Sequence, residues 1–285
     1  MVDAPLRALY QPFLPEDADR AFVWKYTPVF GGRRTRHFHS EPELNLIVSG
    51  TAKFAAGDRV IQVSEGELLA FPSGQDHALL ESSPDFYLFA MGLDPVLSAD
   101  VLKELGEAVV PLHVRLDAQD LAAVTKSATA IVDRKGNEQL AAELWQRVHW
   151  LGRRGAGRAS RGVHVLTRRA LQLLARSPHR ALEDMAEDLQ AHPSEISRHF
   201  HRDVGMTLVR YRVRLRLLQV IDLVDAGQHD LMTAAIAAGF GSYSQCHRAF
   251  HAELGCAPRH FFRSDQRRQM QLAYDALAAA TPGAP

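Results

Sequence analysis

The segment LMTAAIAAGFGSYSQCHRAFHAELGCAPRHFF, residues 231–262, decides how the rest of the chain is read. It divides into a helix, a tight turn, a second helix and a stop. Ala234, Ala235 and Ala238 give the first helix a small-residue face against which another helix can pack closely. Gly239 follows, where a helix end favours a left-handed residue, and Ser242 is a good N-cap for what comes next. Cys246, Phe250 and Leu254 recur at helical spacing with Ala249 beside them, which makes the buried stripe. The opposite face carries Ser244, Gln245, Arg248 and His251. Gly255 ends the helix and Pro258 prevents its resumption. A short helix, a turn and a helix with a polar, cationic outer face make a helix-turn-helix pattern, although any small helical hairpin shares its outline.

A second copy lies upstream. RHFHRDVG at residues 198–205 and RAFHAELG at residues 248–255 match at Arg, Phe, His and Gly, all at one offset of 50, and Ser194 matches Ser244 at the same offset. LEDMAEDLQAHPS supplies the first helix and turn of this earlier unit, with Pro193 suited to the first helical position. Ile196 and Phe200 form its inner stripe; Ser194, Glu195, Ser197, Arg198, His201 and Arg202 are its outward residues. Gln190 stands where a turn glycine is expected.

Two such units joined by a long helix, with the pattern GF-x-S-x-S-x-x-x-R-x-F-x-x-x-x-G-x-x-P over residues 239–258, resemble the AraC/XylS family of bacterial transcription regulators. Cys246 replaces the aromatic residue usual there, and His251 the usual lysine. The resemblance covers about residues 163–263. It implies an all-α domain whose two recognition helices enter successive major grooves of double-stranded DNA. Candidate groove contacts are Ser194, Glu195, Ser197, Arg198, His201 and Arg202 in one unit, and Tyr243, Ser244, Gln245, Arg248 and His251 in the other.

The charge distribution agrees. Of 33 basic and 33 acidic residues, the part from Arg153 onward holds 19 arginines, no lysine and 12 acids, a formal +7, so the preceding part carries −7. A basic half beside an acidic half fits one nucleic-acid-binding domain and one with another task. The two cysteines, Cys246 and Cys256, give no disulfide framework and read as packing residues in a reducing cytoplasm. The first twenty residues are too charged for a signal peptide, and no apolar run approaches a membrane span.

Residues 1–20 read as an irregular lead-in. Over residues 21–93, FVWKY, ELNLIVS, TAKFAA, RVIQVS, ELLAFP, HALLE and FYLFAM are short strand-like runs separated by Gly, Asp, Ser and Pro, the pattern of a sandwich or barrel. Within them Gly31, His37, His39, Glu43 and Gly50 form one spaced block, and Gly66, Pro72, Gly74 and His77 another. These blocks resemble both motifs of the cupin superfamily, a double-stranded β-barrel, with Glu81 where asparagine is common. His37, His39 and Glu43 share parity on a strand and can face one side; His77 would join them from another strand. Three imidazoles and a carboxylate suit a divalent transition metal (Zn, Fe, Mn, Ni or Cu), while sensors of this family also use such positions to line a metal-free effector pocket. Trp24, Tyr26, Phe54, Phe71 and Tyr87 are further candidate wall residues, each equally suited to core packing.

Beyond Pro95 the pattern turns helical, and Leu140, Leu144, Val148 and Leu151 with Trp145 mark a stripe that can close the barrel or pair subunits. The expected organisation is α+β: residues 1–151 a cupin-like, effector-sensing and dimerising barrel with flanking helices; 152–162 a glycine- and arginine-rich linker; 163–270 the double helix-turn-helix; 271–285 a tail. Arg210, Arg212, Arg214 and Arg216 spread around the long connecting helix, some toward DNA and others toward ion pairs. The expected protein is a non-catalytic, cytoplasmic, homodimeric transcription regulator that binds a promoter and a small effector, and contacts RNA polymerase if it activates. The competing reading is a metal-dependent cupin enzyme fused to a DNA-binding domain.

Overall fold

A computed structural model describes residues 9–13, 20–28, 36–104, 109–132, 138–156 and 163–263. The N-terminal part is built of two five-stranded sheets. One has the order β1 (Leu9–Tyr10), β3 (His37–Phe38), β8 (His77–Ser82), β5 (Thr51–Ala56), β6 (Arg59–Ser64). The other runs β10 (Leu112–Arg115), β7 (Glu67–Phe71), β4 (Glu43–Ser49), β9 (Tyr87–Leu93), β2 (Ala21–Tyr26). Seven of these ten strands coincide closely with the short apolar runs of the sequence. The exceptions are β1, β3 and β10. The first two are two residues long, and β1 falls in the stretch read as irregular, where it pairs parallel with β3. A two-residue strand has no periodicity to read; its partner defines it.

Between the sheets, Ile47, Phe54, Leu69, Phe71, Phe86 and Leu88 make one core. The outer face of the second sheet is covered by α2 (Ala118–Val132) and α3 (Glu138–Ala156). In α3, Leu144, Trp145, Val148 and Leu151 face Leu44, Leu46, Phe89 and Met91, as the helical stripe requires. Helix α3 continues to Ala156, so the first residues of the expected linker are helical. Residues 157–162 of that linker, Gly31 and the tail lie outside the described residues, as does the end of the helical run that follows α1 (Pro95–Glu104).

The C-terminal part is all helical and holds two cores. Helices α4 (Val165–Arg176), α5 (Leu182–Leu189) and α6 (Pro193–Val204) enclose Leu171, Leu174, Met185, Ile196 and Phe200. Helices α8 (Leu231–Ala237), α9 (Tyr243–Leu254) and α10 (Pro258–Phe261) enclose Ala234, Ala235, Cys246, Phe250 and Phe261. Helix α7 (Leu208–Asp225) joins them: Leu208 and Tyr211 belong to the first core, Leu217, Leu218 and Ile221 to the second. The recognition helices α6 and α9 are both twelve residues long and both end on a glycine at φ 76°. The turns before them differ in residue and agree in shape. Gly239 has φ 82°, and Gln190 takes up the left-handed conformation at φ 50°. A side chain with φ > 0 is strained, so the fold of the first unit imposes on Gln190 what glycine accepts freely in the second.

Candidate effector site and DNA interface

His37, His39, Glu43 and His77 converge, and they are the one group among the described residues placed to hold a metal ion: their ligand atoms all lie within 4.8 Å of one another, and all four residues are buried. The convergence has a different origin from strand parity. The chain leaves β3 after Phe38, bends through Ser40–Pro42 and enters β4 in the opposite sheet. His37 and His77 therefore come from paired strands of one sheet and Glu43 from the other, with the cluster between them.

One carboxylate oxygen of Glu43 lies 3.0 Å from His39 Nε2 and 3.2 Å from His77 Nε2. The other accepts from Asn45 Nδ2 at 2.6 Å. His39 Nδ1 lies 2.7 Å from the Glu41 carbonyl oxygen and His77 Nδ1 3.2 Å from that of Gln75. A carbonyl can only accept, so both Nδ1 atoms carry hydrogen and donate. Burial disfavours charge on Glu43, but His77 and His39 outweigh it and hold its pKa well below the usual carboxylate range. Burial likewise opposes charge on His39, and hydrogen bonding and attraction from Glu43, with Glu41 adding, raise its pKa. Phe71 stacks on His77 with ring centres 4.3 Å apart.

Beside Phe71 a cavity of about 560 Å³ opens where the edge strands of the two sheets face each other. Ala56, Ile61, Ala70, Phe71 and Leu112 supply apolar wall, and Arg59, Gln75, His113 and Arg202 supply polar groups. Arg202 and Asp203 belong to the DNA-binding domain, so the cavity is walled by both halves of the chain. Such a size suits a small organic molecule. Of the aromatic residues expected at the pocket, Phe54 and Phe71 are in the inter-sheet core, and Tyr26 packs edge-on to Phe86. Trp24 rests on Phe22 and donates to the Phe13 carbonyl. Tyr87 is on the other side of its sheet, against Phe89, under Lys25 and in the core shared with α2 and α3, so it does not join the pocket. Alternation along β9 decides this, and two bulky neighbours at the start of that strand leave the inward one ambiguous in sequence.

In the helical domain, Ser194, Arg198, His201 and Arg202 on α6 and Ser244, Gln245, Arg248 and His251 on α9 are exposed. Glu195, Ser197 and Tyr243 are half-buried. Several of these side chains have local partners. Ser194 pairs with His192 at the α6 N-cap (2.7 Å), and Gln245 folds back to accept from the Gly241 N–H (3.0 Å). His201 meets Asp58 of the β5–β6 turn at 2.8 Å. Arg198 and Arg248 stand at equivalent places, exposed on the face away from each core.

A sheet-built domain with a buried polar cluster, followed by paired helix-turn-helix lobes, defines a ligand-sensing, DNA-binding regulator. The comparisons agree. An AraC-like ligand-binding domain matches residues 31–149 and a helix-turn-helix domain matches residues 185–264. The chain belongs to the AraC family of transcription regulators: it binds DNA and is controlled by a small-molecule effector. Among solved structures it is similar to ToxT from Vibrio cholerae O395, at 13% identity and a TM-score of 0.46, over 88% of this chain and 97% of that one. It is also similar to the AraC-like transcriptional activator CuxR, at 14% identity and a TM-score of 0.32, over 77% and 78% of the two chains. The C-terminal domain of AraT, a response regulator from Geobacillus stearothermophilus, is similar over 36% of this chain and 87% of that one, at 21% identity and a TM-score of 0.34. Curated proteins give no match. No helix among the described residues is long and apolar enough to cross a membrane.

Sequence reading missed Asp58 and Asp76, which with Arg214 hold the two domains together. Arg214 is visible as one of four arginines in α7, but nothing local separates it from the other three.

Proposed function

We propose that the cluster of His37, His39, Glu43 and His77 holds a divalent transition metal, and that an effector entering the adjoining cavity sets how the two recognition helices meet their operator. The observation that carries the metal reading is the commitment of both Nδ1–H groups, on His39 and His77, to backbone carbonyls. That leaves each Nε2, turned toward the Glu43 carboxylate, as the nitrogen that would ligate a metal on giving up its proton, the outer-shell arrangement that orients imidazole ligands. Glu43, kept ionised, contributes the negative charge a dication needs. When bound, the metal supplies a Lewis-acidic position for an oxygen atom of the effector. The chain's own residues orient that ligand set, exclude water through Phe71 and Phe54, and close the cavity with Arg202 and Asp203.

The protein acts by binding and not by turnover, in the cytoplasm where its DNA target lies, and contacts RNA polymerase where it activates. It pairs through the outer face of α3, where Leu140 and Trp150 are 41% and 55% exposed. Elemental analysis of protein purified without chelator, with calorimetric zinc titration of wild type and of Glu43→Gln, tests the metal. Near-stoichiometric metal that Glu43→Gln loses supports it. Trace metal and no zinc binding, with the effector response intact, replaces it with a metal-free pocket. Steady conversion of an effector by purified protein would favour the fused-enzyme reading.

A further inference from the structure

The two segments that carry the polar cluster have a second face. His37 and His39 point into the domain; Phe38, between them, is fully buried in the core of the second DNA-binding lobe. His77 points inward; Asp76, next to it, bonds Arg214 of α7. Phe38 lies between two inward-facing histidines, and Asp76 directly precedes the inward-facing His77; neighbouring side chains of an extended chain turn to opposite sides. The two segments are also tied to each other, through the Gly74 N–H donating to the His39 carbonyl at 2.9 Å.

Arg214 is 0% exposed, in the middle of the helix that joins the two lobes. Its Nη1 donates to Asp76 and to the Gly74 carbonyl, its Nε donates to Glu253 of α9 at 2.8 Å, and its guanidinium lies 4.5 Å from the centre of the Phe38 ring. Asp76 also takes Arg36 at 2.7 Å, and Glu253 takes Arg210 at 2.8 Å. The Nη2 atom, buried, has no hydrogen-bond partner among the described residues. A buried ion pair with an orphaned donor is poor evidence of stabilisation, since apolar residues of similar volume often hold such a place as well. What it does provide is a join that is either made or broken, because removing one partner strands a buried charge. The same surface carries a second seam at the β5–β6 turn. There the Asp58 N–H donates to the Gly205 carbonyl at 2.8 Å and Arg59 to that of Asp203 at 2.7 Å, and beside them Gln75, just before β8, donates to that of Val204 at 2.6 Å. The sensing domain thus grips the end of α6 in one lobe and, through Arg214, the connecting helix and α9 of the other.

We infer that Arg214 is the joint through which the inner face of the sensing domain is read by the DNA-binding domain: displacement of His37, His39 or His77 shifts Phe38 and Asp76 on the reverse face, and with them the docking of both lobes. This rests on the cluster being the effector site, as proposed above.

Hydrogen exchange in the full chain reads the docking directly, because the Asp58 amide is bonded across the seam, whereas the β4 amides of Leu44 and Leu46 lie inside the sensing domain. Arg214→Met leaves Asp76 with Arg36 alone and Glu253 with Arg210 alone and can fail to fold, so the triple variant Asp76→Asn, Arg214→Met, Glu253→Gln, which removes both buried carboxylates together with the guanidinium, is the main test. It should exchange the Asp58 proton at least about tenfold faster than wild type, with the β4 amides unchanged; a tenfold change corresponds to about 1.4 kcal/mol of docking free energy. Equal Asp58 exchange in the two proteins would overturn the role of Arg214. Zinc ion is the inner-face probe. Saturating zinc should change Asp58 exchange several-fold in wild type and leave the triple variant unmoved. Zinc that binds by calorimetry yet shifts neither protein would overturn the coupling. If zinc does not bind, the metal reading fails alone, and His77→Ala serves as the inner perturbation with the same two outcomes.

Discussion

His149 gives a sharp test of how the helical layer is held to the sheet. It is 2% exposed and stacks on Trp145 with ring centres 5.1 Å apart. Burial pushes its pKa down from 6.5 to about 4. For a histidine depressed in the folded state, the unfolded chain binds the extra proton first, so stability is intact above the unfolded pKa and drains as pH falls toward the folded one. Between pH 7 and pH 4.5 the two titrations, at 1.36 kcal/mol per pH unit, remove about 2 kcal/mol. Other groups titrate over the same interval, so the quantity to measure is a difference. Urea unfolding of wild type and His149→Leu, followed by tryptophan fluorescence, should show the variant gaining about 2 kcal/mol relative to wild type on going from pH 7 to pH 4.5. An unchanged difference would mean that the imidazole is hydrated or already charged in the folded state, and the burial argument would fall.

Arg198→Ala and Arg248→Ala should each relax preference at one base position in one groove, a loss of about 1–3 kcal/mol of discrimination, read by footprinting against operator variants. Operator affinity should fall with salt at a log–log slope near −0.9 per phosphate neutralised, and each arginine lost from a phosphate contact should shorten that slope by about one phosphate. Cys246, buried in the second lobe with its thiol pushed up to about 11, should resist iodoacetamide at pH 8 in the folded protein and react on unfolding in urea. Phe250→Ala, which empties the centre of the same lobe, should destabilise it by about 3–5 kcal/mol, and its operator footprint should shrink to the groove read by α6.

The DNA-binding half was largely legible because helical periodicity, capping and repetition are local signals. Ser242 caps α9 and Pro193 opens α6 as read, and both twelve-residue recognition helices end on the matched glycines. The four polar residues of the cluster were legible from spacing, but the way they meet was not: the crossing from β3 to β4 belongs to the pairing of two sheets. Strands β1 and β10 were invisible for a related reason, each being short and defined by the partner it joins. The inter-domain contacts were the least legible. Arg214 and Asp76 are 138 residues apart, and an arginine destined for complete burial has the same neighbours in sequence as one destined for phosphate.

The approach of Gly57 to Gly205 bears on how freely such regulators exchange their halves. A Cβ on Gly57 would come within 2.1 Å of the Gly205 carbonyl oxygen, and one on Gly205 within 2.6 Å of the Ala56 carbonyl oxygen. Gly205 already has a local duty as the end of α6, so any sequence that keeps the helix stop supplies half of the fit at no extra demand. Gly57, at φ 58° in the β5–β6 turn, answers to its own turn and to the other domain at once. A chimera that grafts a foreign sensor onto this DNA-binding half therefore inherits a docking surface that accepts a bare turn and rejects a branched one. Modularity in this chain is conditional: its two halves are separable in sequence, but they are interchangeable only with partners whose hairpin ends in the same small residue.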